Sequence, residues 1–109
     1  MEQKIEQPNT KYIKELSGDD KAFEDKFISI LKLEFPEEFL QYLDYIKEEK
    51  LKPAAEVVHK LKHKFNILGM ENSYKLAVKY EEELKYGNAQ KHREFVNILK
   101  TISDFIKTL

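Results

Sequence analysis

The sequence predicts an all-α fold: an antiparallel, up-and-down four-helix bundle preceded by a short extra N-terminal helix. Apolar residues recur at helical spacing along most of the 109-residue chain, and no segment shows the alternation of a half-buried strand. Glycine and proline are scarce, with 3 residues each, whereas Lys, Glu and Leu, which favour helices, are abundant. Several helices of about 12–18 residues with short connections are typical of an antiparallel bundle.

The chain begins with a polar segment and a short helix. We interpret residues 1–10 as a flexible lead-in and residues 11–109 as a single domain, because the length suits one domain. A short helix is expected over Tyr12–Leu16, ended by a Ser-Gly pair. Asp19 or Asp20 can then cap the next helix, since a carboxylate oxygen accepts the free N–H groups of a first turn.

Two prolines divide the chain that follows. Pro36 lacks an N–H group and clashes with the preceding turn, so we expect it to end one helix and to start another. Pro53 is expected to open the next helix in the same way, and Gly69 is placed to end that helix. The apolar face of this helix includes Phe65, which we expect in the core.

The last two helices follow the same pattern. Asn72 or Ser73 can start the first of them, and a Gly-Asn pair closes it. Glu81 lies near the centre of its apolar face, where an acidic group needs a partner, either on the His59 side of the bundle or in a Lys or Tyr contact. Residues 95–109 show the most regular apolar spacing in the chain and predict the final helix.

Composition excludes several classes of function. Lys+Arg is 19 and Asp+Glu is 20, so the chain lacks the basic excess that is typical of nucleic-acid binding. The absence of cysteine excludes disulfides, a cysteine nucleophile and thiolate metal sites. No apolar run approaches the roughly 20 residues that a membrane span needs. The first ten residues contain no apolar signal segment, so we expect a cytoplasmic protein without a membrane partner.

The three histidines are the main candidates for chemistry. His59 and His63 fall about 150° and about 180° from the centre of the apolar face of their helix, so both are expected to be exposed. Ala55, one turn before His59, leaves space beside the ring. Plain solvation of these exposed side chains remains an open alternative. We expect His92, in the turn before the last helix, to be solvated.

The pair suits an anion better than a metal ion. Two histidines four residues apart can bind one ion, but Lys60, Lys62 and Lys64 would repel a cation, so we expect no metal here. A phosphoryl group would instead find the exposed Lys62 nearby for charge compensation. An imidazole has a pKa of about 6.5, so its neutral form can accept that group without a dedicated base.

The stretch VVHKLKHKFNILGMENSYKLAVKYEEEL, residues 57–84, resembles the signature of the histidine-containing phosphotransfer (HPt) domain family. The family motif reads His-x-Leu-Lys-Gly, with a glycine ten residues after the histidine and an acidic or amide residue in the following helix. The matching positions in this chain are His59, Leu61, Lys62, Gly69 and Glu81. A looser resemblance extends from about residue 20 to the C-terminus, and His63 stands where the family usually has a small glycine.

The resemblance implies a role for each of these residues. His59 would be the phosphoryl acceptor, through Nε2, and Lys62 would steady the negative charge of the phosphoryl group. Glu81, or a neighbour such as Asn66, would accept the Nδ1 proton and so leave Nε2 free. Gly69 would be structural.

The resemblance also implies partners. The chain would be a phosphorelay carrier without kinase activity, exchanging phosphoryl groups with the receiver domain of a response regulator or of a hybrid sensor histidine kinase. Mg²⁺ would belong to the receiver, and the carrier would need no cofactor and would be a monomer. Ala55 and His63 would lie on the docking surface. The alternative is a non-catalytic helical interaction module that binds a receiver or kinase without phosphotransfer, or an unrelated helical adaptor.

Overall fold

A computed structural model describes residues 6–109, and in this range it contains five α-helices and no strand. The helices are α1 (Lys11–Ser17), α2 (Lys21–Lys47), α3 (Leu51–Ile67), α4 (Glu71–Lys85) and α5 (His92–Ile106). The all-α prediction is therefore confirmed. No helix within this range has the length and apolar character needed to cross a membrane.

The boundaries of the first two helices follow the predicted signals. α1 ends at Gly18, which has a φ of 57°, a conformation that glycine adopts without steric cost. The Oδ1 atom of Asp20 accepts a hydrogen bond of 3.0 Å from the N–H group of Phe23 and so caps α2. The short N-terminal helix and the aspartate cap are both confirmed.

The prediction that Pro36 divides two helices is wrong, because Pro36 lies inside α2, a single helix of 27 residues. Pro36 is exposed, so water can satisfy the carbonyl group that loses its N–H partner. Leu31, Phe35 and Tyr42 are buried on either side of the proline and hold both halves of α2 against the core. Tertiary packing therefore outweighs the local cost of the proline.

α3 begins at Leu51, so Pro53 lies within its first turn, where a missing N–H group leaves no helical bond unmade. The helix ends at Ile67, and the next turn contains Gly69 with a φ of 75°. This positive φ favours glycine, and a Cβ atom at Gly69 would lie 2.7 Å from the side chain of Asn9, which would have to move.

The described part of the predicted lead-in, residues 6–10, is attached to the domain. Residues 1–5 lie outside the described residues, whereas residues 6–10 pack against the turn between α3 and α4. The Glu6 carboxylate accepts the N–H groups of Asn72 and Ser73, at 3.0 Å and 2.8 Å. Pro8 is buried. Since Glu6 satisfies two free N–H groups, it caps α4 from a distant part of the chain, a contact that local sequence patterns do not reveal.

The core lies between four helices. α2 packs against α3 and α5, α4 packs against the same two helices, and α1 packs against α2 and adds the buried Ile13 to the core. The largest fully buried side chains are aromatic: Tyr42, Tyr80, Phe35, Phe65 and Phe95. Phe65 of α3 lies 5.6 Å from Phe95 of α5, measured between ring centroids. The prediction that Phe65 belongs to the core is confirmed, and its burial fixes which face of α3 reaches the surface.

Candidate functional site

α3 presents two histidines on its exposed face. His59 and His63 lie one helical turn apart and are both exposed, with 53% of the His59 side chain accessible to solvent. Leu61 and Phe65, on the other side of the same helix, are fully buried. These core side chains fix the rotation of α3 about its axis, so the imidazoles are held at the surface, as the helical spacing predicts.

The ring of His59 is oriented by a carboxylate from α4. Its Nδ1 atom lies 3.1 Å from Oε2 and 3.2 Å from Oε1 of Glu81. An ionised carboxylate can only accept hydrogen bonds, so Nδ1 carries the proton and donates it. In the neutral form of the ring, the other nitrogen, Nε2, bears the lone pair, and α3 holds it at the surface. The structure thus brings together two of the residues that the sequence singled out.

Glu81 is shared between His59 and two lysines. Its Oε1 atom lies 2.8 Å from Nζ of Lys62, and its Oε2 atom lies 3.6 Å from Nζ of Lys85. Burial by itself raises the pKa of Glu81, but the hydrogen bond and charge of Lys62, followed by those of His59, lower it more. The pKa of Glu81 therefore lies below its usual value, and the carboxylate is ionised at neutral pH.

The expectation that Lys62 is exposed is wrong. Only 13% of its side chain is accessible, because its ammonium group turns inward to the Glu81 carboxylate on α4. In this state Lys62 compensates the charge of Glu81 and not that of a group on His59. Lys62 instead holds in place the Glu81 carboxylate that orients the imidazole of His59.

His63 lies directly beside the free nitrogen of His59. The two Nε2 atoms are 3.4 Å apart, and the rings meet edge to face. Desolvation, followed by the charges of His59 and Lys62, lowers the pKa of His63, although Glu81 opposes this effect. A neutral His63 can donate its Nε2 proton to the lone pair of His59, so the two imidazoles form one unit.

Two other predicted site residues have lesser roles. The sequence predicts Ala55 on a docking surface, but Ala55 is only 1% exposed and offers almost no accessible surface to a partner. It instead forms the floor of an open concavity beside His59. Three lysines and an exposed tyrosine are among the residues around this concavity: Lys52, Lys60, Lys85 and Tyr86. Asn66 is exposed. Glu81, and not Asn66, accepts the hydrogen bond from Nδ1 of His59.

The lysines next to the histidines differ in their surroundings. Lys64 is 8% exposed and forms ion pairs with Glu34 and Glu38 of α2, at 3.1 Å and 3.0 Å. Lys60 is exposed. Since carboxylates also neutralise Lys62, the positive charge around the histidines is smaller than the sequence suggests.

The prediction that His92 is solvated is wrong. Its Nδ1 atom lies 2.7 Å from the hydroxyl group of Tyr42, which in turn lies 2.6 Å from the hydroxyl group of Tyr80. Burial raises the pKa of both tyrosines and lowers the pKa of His92. The first turn of α5 places the half-buried His92 against the buried Tyr42, so its ring is held at the edge of the core and does not belong to the candidate site.

Within residues 6–109, no group of three or more His, Cys, Asp or Glu side chains is arranged to hold a metal ion. Comparisons with protein-family models, with curated proteins and with solved structures each find no match for this chain. The geometry around His59 and the sequence motif are therefore the features that indicate a function.

Proposed function

We propose that this chain is a phosphorelay carrier of the HPt type, which accepts a phosphoryl group on His59 from a receiver-domain aspartate and passes it to another receiver. The observation that carries the proposal is the contact between Nδ1 of His59 and Glu81, which leaves the lone pair of Nε2 on an exposed ring. A solvated histidine without a role has no need of a partly buried carboxylate to fix its tautomer.

These groups account for the bond that forms, the bond that breaks and the proton in the transfer step. The Nε2 lone pair of His59 attacks the phosphorus of the aspartyl phosphate, and the bond from phosphorus to the aspartate oxygen breaks. The aspartate leaves as a carboxylate, while the imidazole keeps its Nδ1 proton and becomes a cation. Glu81 accepts the hydrogen bond from this proton throughout, so its negative charge stabilises the cation as the charge develops. Transfer to a second receiver is the reverse of this step.

Lys62 supports the site through Glu81. Its ion pair keeps Glu81 ionised and in place in the unphosphorylated protein, and we propose that its ammonium group turns toward the phosphoryl group once that group is on His59. His63 leaves its contact with Nε2 of His59 when the phosphoryl group arrives.

The proposed architecture is an antiparallel four-helix bundle formed by α2 to α5, with α1 as an addition. Residues 48–50 join α2 to α3, and residues 68–70 join α3 to α4. Connections this short reverse the chain direction between neighbouring helices. The contacts of α5 with both α2 and α4 close the ring.

The proposed partner is the receiver domain of a response regulator or of a hybrid sensor histidine kinase, which supplies the aspartate and its Mg²⁺. The concavity beside His59 is lined by three lysines and by the carboxylates of Glu56 and Glu81, so positive groups outnumber negative ones where a receiver's acidic site would dock. The carrier needs no metal or other cofactor for its own chemistry and has no kinase activity. We place it in the cytoplasm as a monomer.

A non-catalytic interaction module is the second candidate. It is favoured by one observation, the position of His63 Nε2 only 3.4 Å from the proposed accepting atom. In such a module, the two histidines would form a docking surface that binds a receiver without taking its phosphoryl group.

Transfer from a phosphorylated receiver domain tests the proposal. The wild type and the His59→Gln and His63→Gln variants are incubated with receivers carrying labelled phosphate. We expect acid-labile, base-stable label on the wild type and on His63→Gln, and none on His59→Gln. His63→Gln is the matched control, because it removes an exposed histidine one turn away. Label that persists in His59→Gln refutes the assignment, and binding without label favours the interaction module.

A further inference from the structure

The paired imidazoles on α3 have a second property that does not depend on phosphate. We propose that His59 and His63 together bind one divalent transition-metal ion such as Zn²⁺ through their Nε2 atoms, and that the bound ion prevents phosphoryl acceptance. The ion would be an inhibitor of the carrier and not its cofactor. The first part of this proposal stands on geometry alone, and the second part rests on the proposed function.

The spacing of the two nitrogens suits a shared ion. Zn²⁺ binds imidazole nitrogen at about 2.0–2.1 Å in tetrahedral geometry, which places two such nitrogens about 3.3 Å apart. The Nε2 atoms of His59 and His63 are already 3.4 Å apart, so small ring rotations bring both lone pairs onto one ion. Water molecules would complete the coordination, because the pair is exposed.

Glu81 accepts a hydrogen bond from Nδ1 of His59, an arrangement that is also common for histidines that bind metal ions. Metal-binding histidines commonly donate the second ring N–H group to a carboxylate, which fixes the ring and makes the free nitrogen more basic. Nδ1 of His59 has this contact with Glu81 at 3.1 Å. On metal binding, the exposed ring of His63 would give up the contact in which its Nε2 proton faces His59 and would take the other tautomer, with the proton on Nδ1 and the Nε2 lone pair available.

The lysines near His59 and His63 repel a metal ion less in the structure than their number in the sequence suggests. Lys62 is paired with Glu81, and Lys64 turns to the opposite side of α3, where it is paired with Glu34 and Glu38. Lys60 is the exposed cation of this segment. Because ion pairs neutralise two of the three lysines, the repulsion of a divalent ion at the histidines is reduced.

Metal and phosphate compete for the same lone pair. Nε2 of His59 has one lone pair, since Nδ1 is engaged with Glu81. Coordination to Zn²⁺ uses that lone pair and leaves none to attack phosphorus. Removing His63 should therefore weaken metal binding while His59 still takes label from a small-molecule donor that needs no docking surface, which separates the two properties.

Zn²⁺ titration by isothermal calorimetry tests the site, with protein first treated with EDTA. We expect one ion per chain in the wild type and a loss of affinity of about a hundredfold in His63→Gln and in His59→Gln, because each leaves a single ligand. Glu81→Gln should lose about 10–100-fold, and circular dichroism checks that this variant is folded. Lys60→Gln is the matched surface control and should bind at least as tightly as the wild type. Equal affinity in the wild type and His63→Gln overturns the metal site.

Labelling with phosphoramidate, a small-molecule phosphoryl donor, tests the competition without a receiver whose Mg²⁺ site could itself bind Zn²⁺. Saturating Zn²⁺ should abolish label on the wild type, and EDTA should restore it, whereas the same Zn²⁺ concentration should leave label on His63→Gln. Undiminished label on zinc-saturated wild type overturns the inhibition. Absence of label on metal-free wild type counts against the proposed function, while the titration still decides whether the metal site exists.

Discussion

At the scale of single residues, one acidic side chain organises the candidate site. Glu81 is about one-tenth exposed, at 11%, and contacts His59 from α3 together with Lys62 and Lys85. A carboxylate so far out of water is stable only with such partners. The same partners orient the imidazole, so stability and chemistry depend on one ion-pair network.

Lys62→Ala should destabilise the fold measurably. The substitution removes the closest cation from Glu81 and leaves a largely buried carboxylate partly unpaired, at an expected cost of about 1–3 kcal/mol in the free energy of unfolding. Urea unfolding measures this change. Lys60→Ala is the matched control, since Lys60 is exposed on the same helix and should change the free energy by less than about 0.5 kcal/mol. Equal effects of the two substitutions would show that the pair with Glu81 contributes nothing.

His92 predicts a pH dependence of stability. Burial lowers its pKa in the folded protein below the usual value of 6.5, so the unfolded chain binds the proton more readily. The contribution of neutral His92 is therefore fully present above about pH 6.5 and is lost as the pH falls through the folded pKa.

Urea unfolding of the wild type and His92→Gln between pH 7.5 and 4.5 measures this contribution. The wild type should lose more stability on acidification than the variant, which has no titrating group at this position. Parallel pH profiles for the two proteins would be inconsistent with a partly buried His92 whose pKa is lowered in the folded protein.

At the scale of the elements, α2 shows how a helix tolerates an internal proline. Pro36 removes one hydrogen bond on the exposed side, while Phe35 and Tyr42 remain buried on the other. The cost is local and the compensation comes from the core. For this reason the helix continues where the sequence predicts a break.

Pro36→Ala should stabilise the protein. Alanine restores the missing N–H group and has the highest helix propensity, and proline in a helix interior is up to about 3 kcal/mol less favourable than alanine. A higher urea midpoint is the expected result. A lower midpoint would mean that α2 needs a bend at Pro36 to pack against its neighbours.

At the scale of the whole molecule, the N-terminal segment connects to the turn that separates the two helices of the site. Glu6 caps α4, and the N–H group of Asn9 donates a 2.8 Å hydrogen bond to the carbonyl oxygen of Leu68. Gly69 leaves the space that Asn9 occupies. The segment therefore stabilises the start of the helix that carries Glu81.

Glu6→Ala should cost about 0.5–2 kcal/mol, the usual effect of losing a helix cap. Glu15→Ala, at an exposed position on α1, is the matched control and should be close to neutral. Urea unfolding compares the two variants. If both leave the free energy of unfolding unchanged, the contact of Glu6 with Asn72 and Ser73 does not stabilise α4.

Local sequence was sufficient to predict the helical class, the cap at Asp20, the turn at Gly69 and the exposed positions of His59 and His63. Each of these depends on residues within about one or two turns of each other, where spacing and capping preferences act directly. For the same reason, the sequence could identify Glu81 as an acid that needs a partner.

Only the tertiary structure decided which partner Glu81 takes, that Lys62 turns inward, that Pro36 lies within one helix and that His92 stacks on Tyr42. Each of these depends on a contact between helices or on the burial that such contacts create. The helical period fixes the direction of a side chain from its own axis but carries no information on the neighbouring helix. The distance and charge of groups on that helix are set only when the core closes.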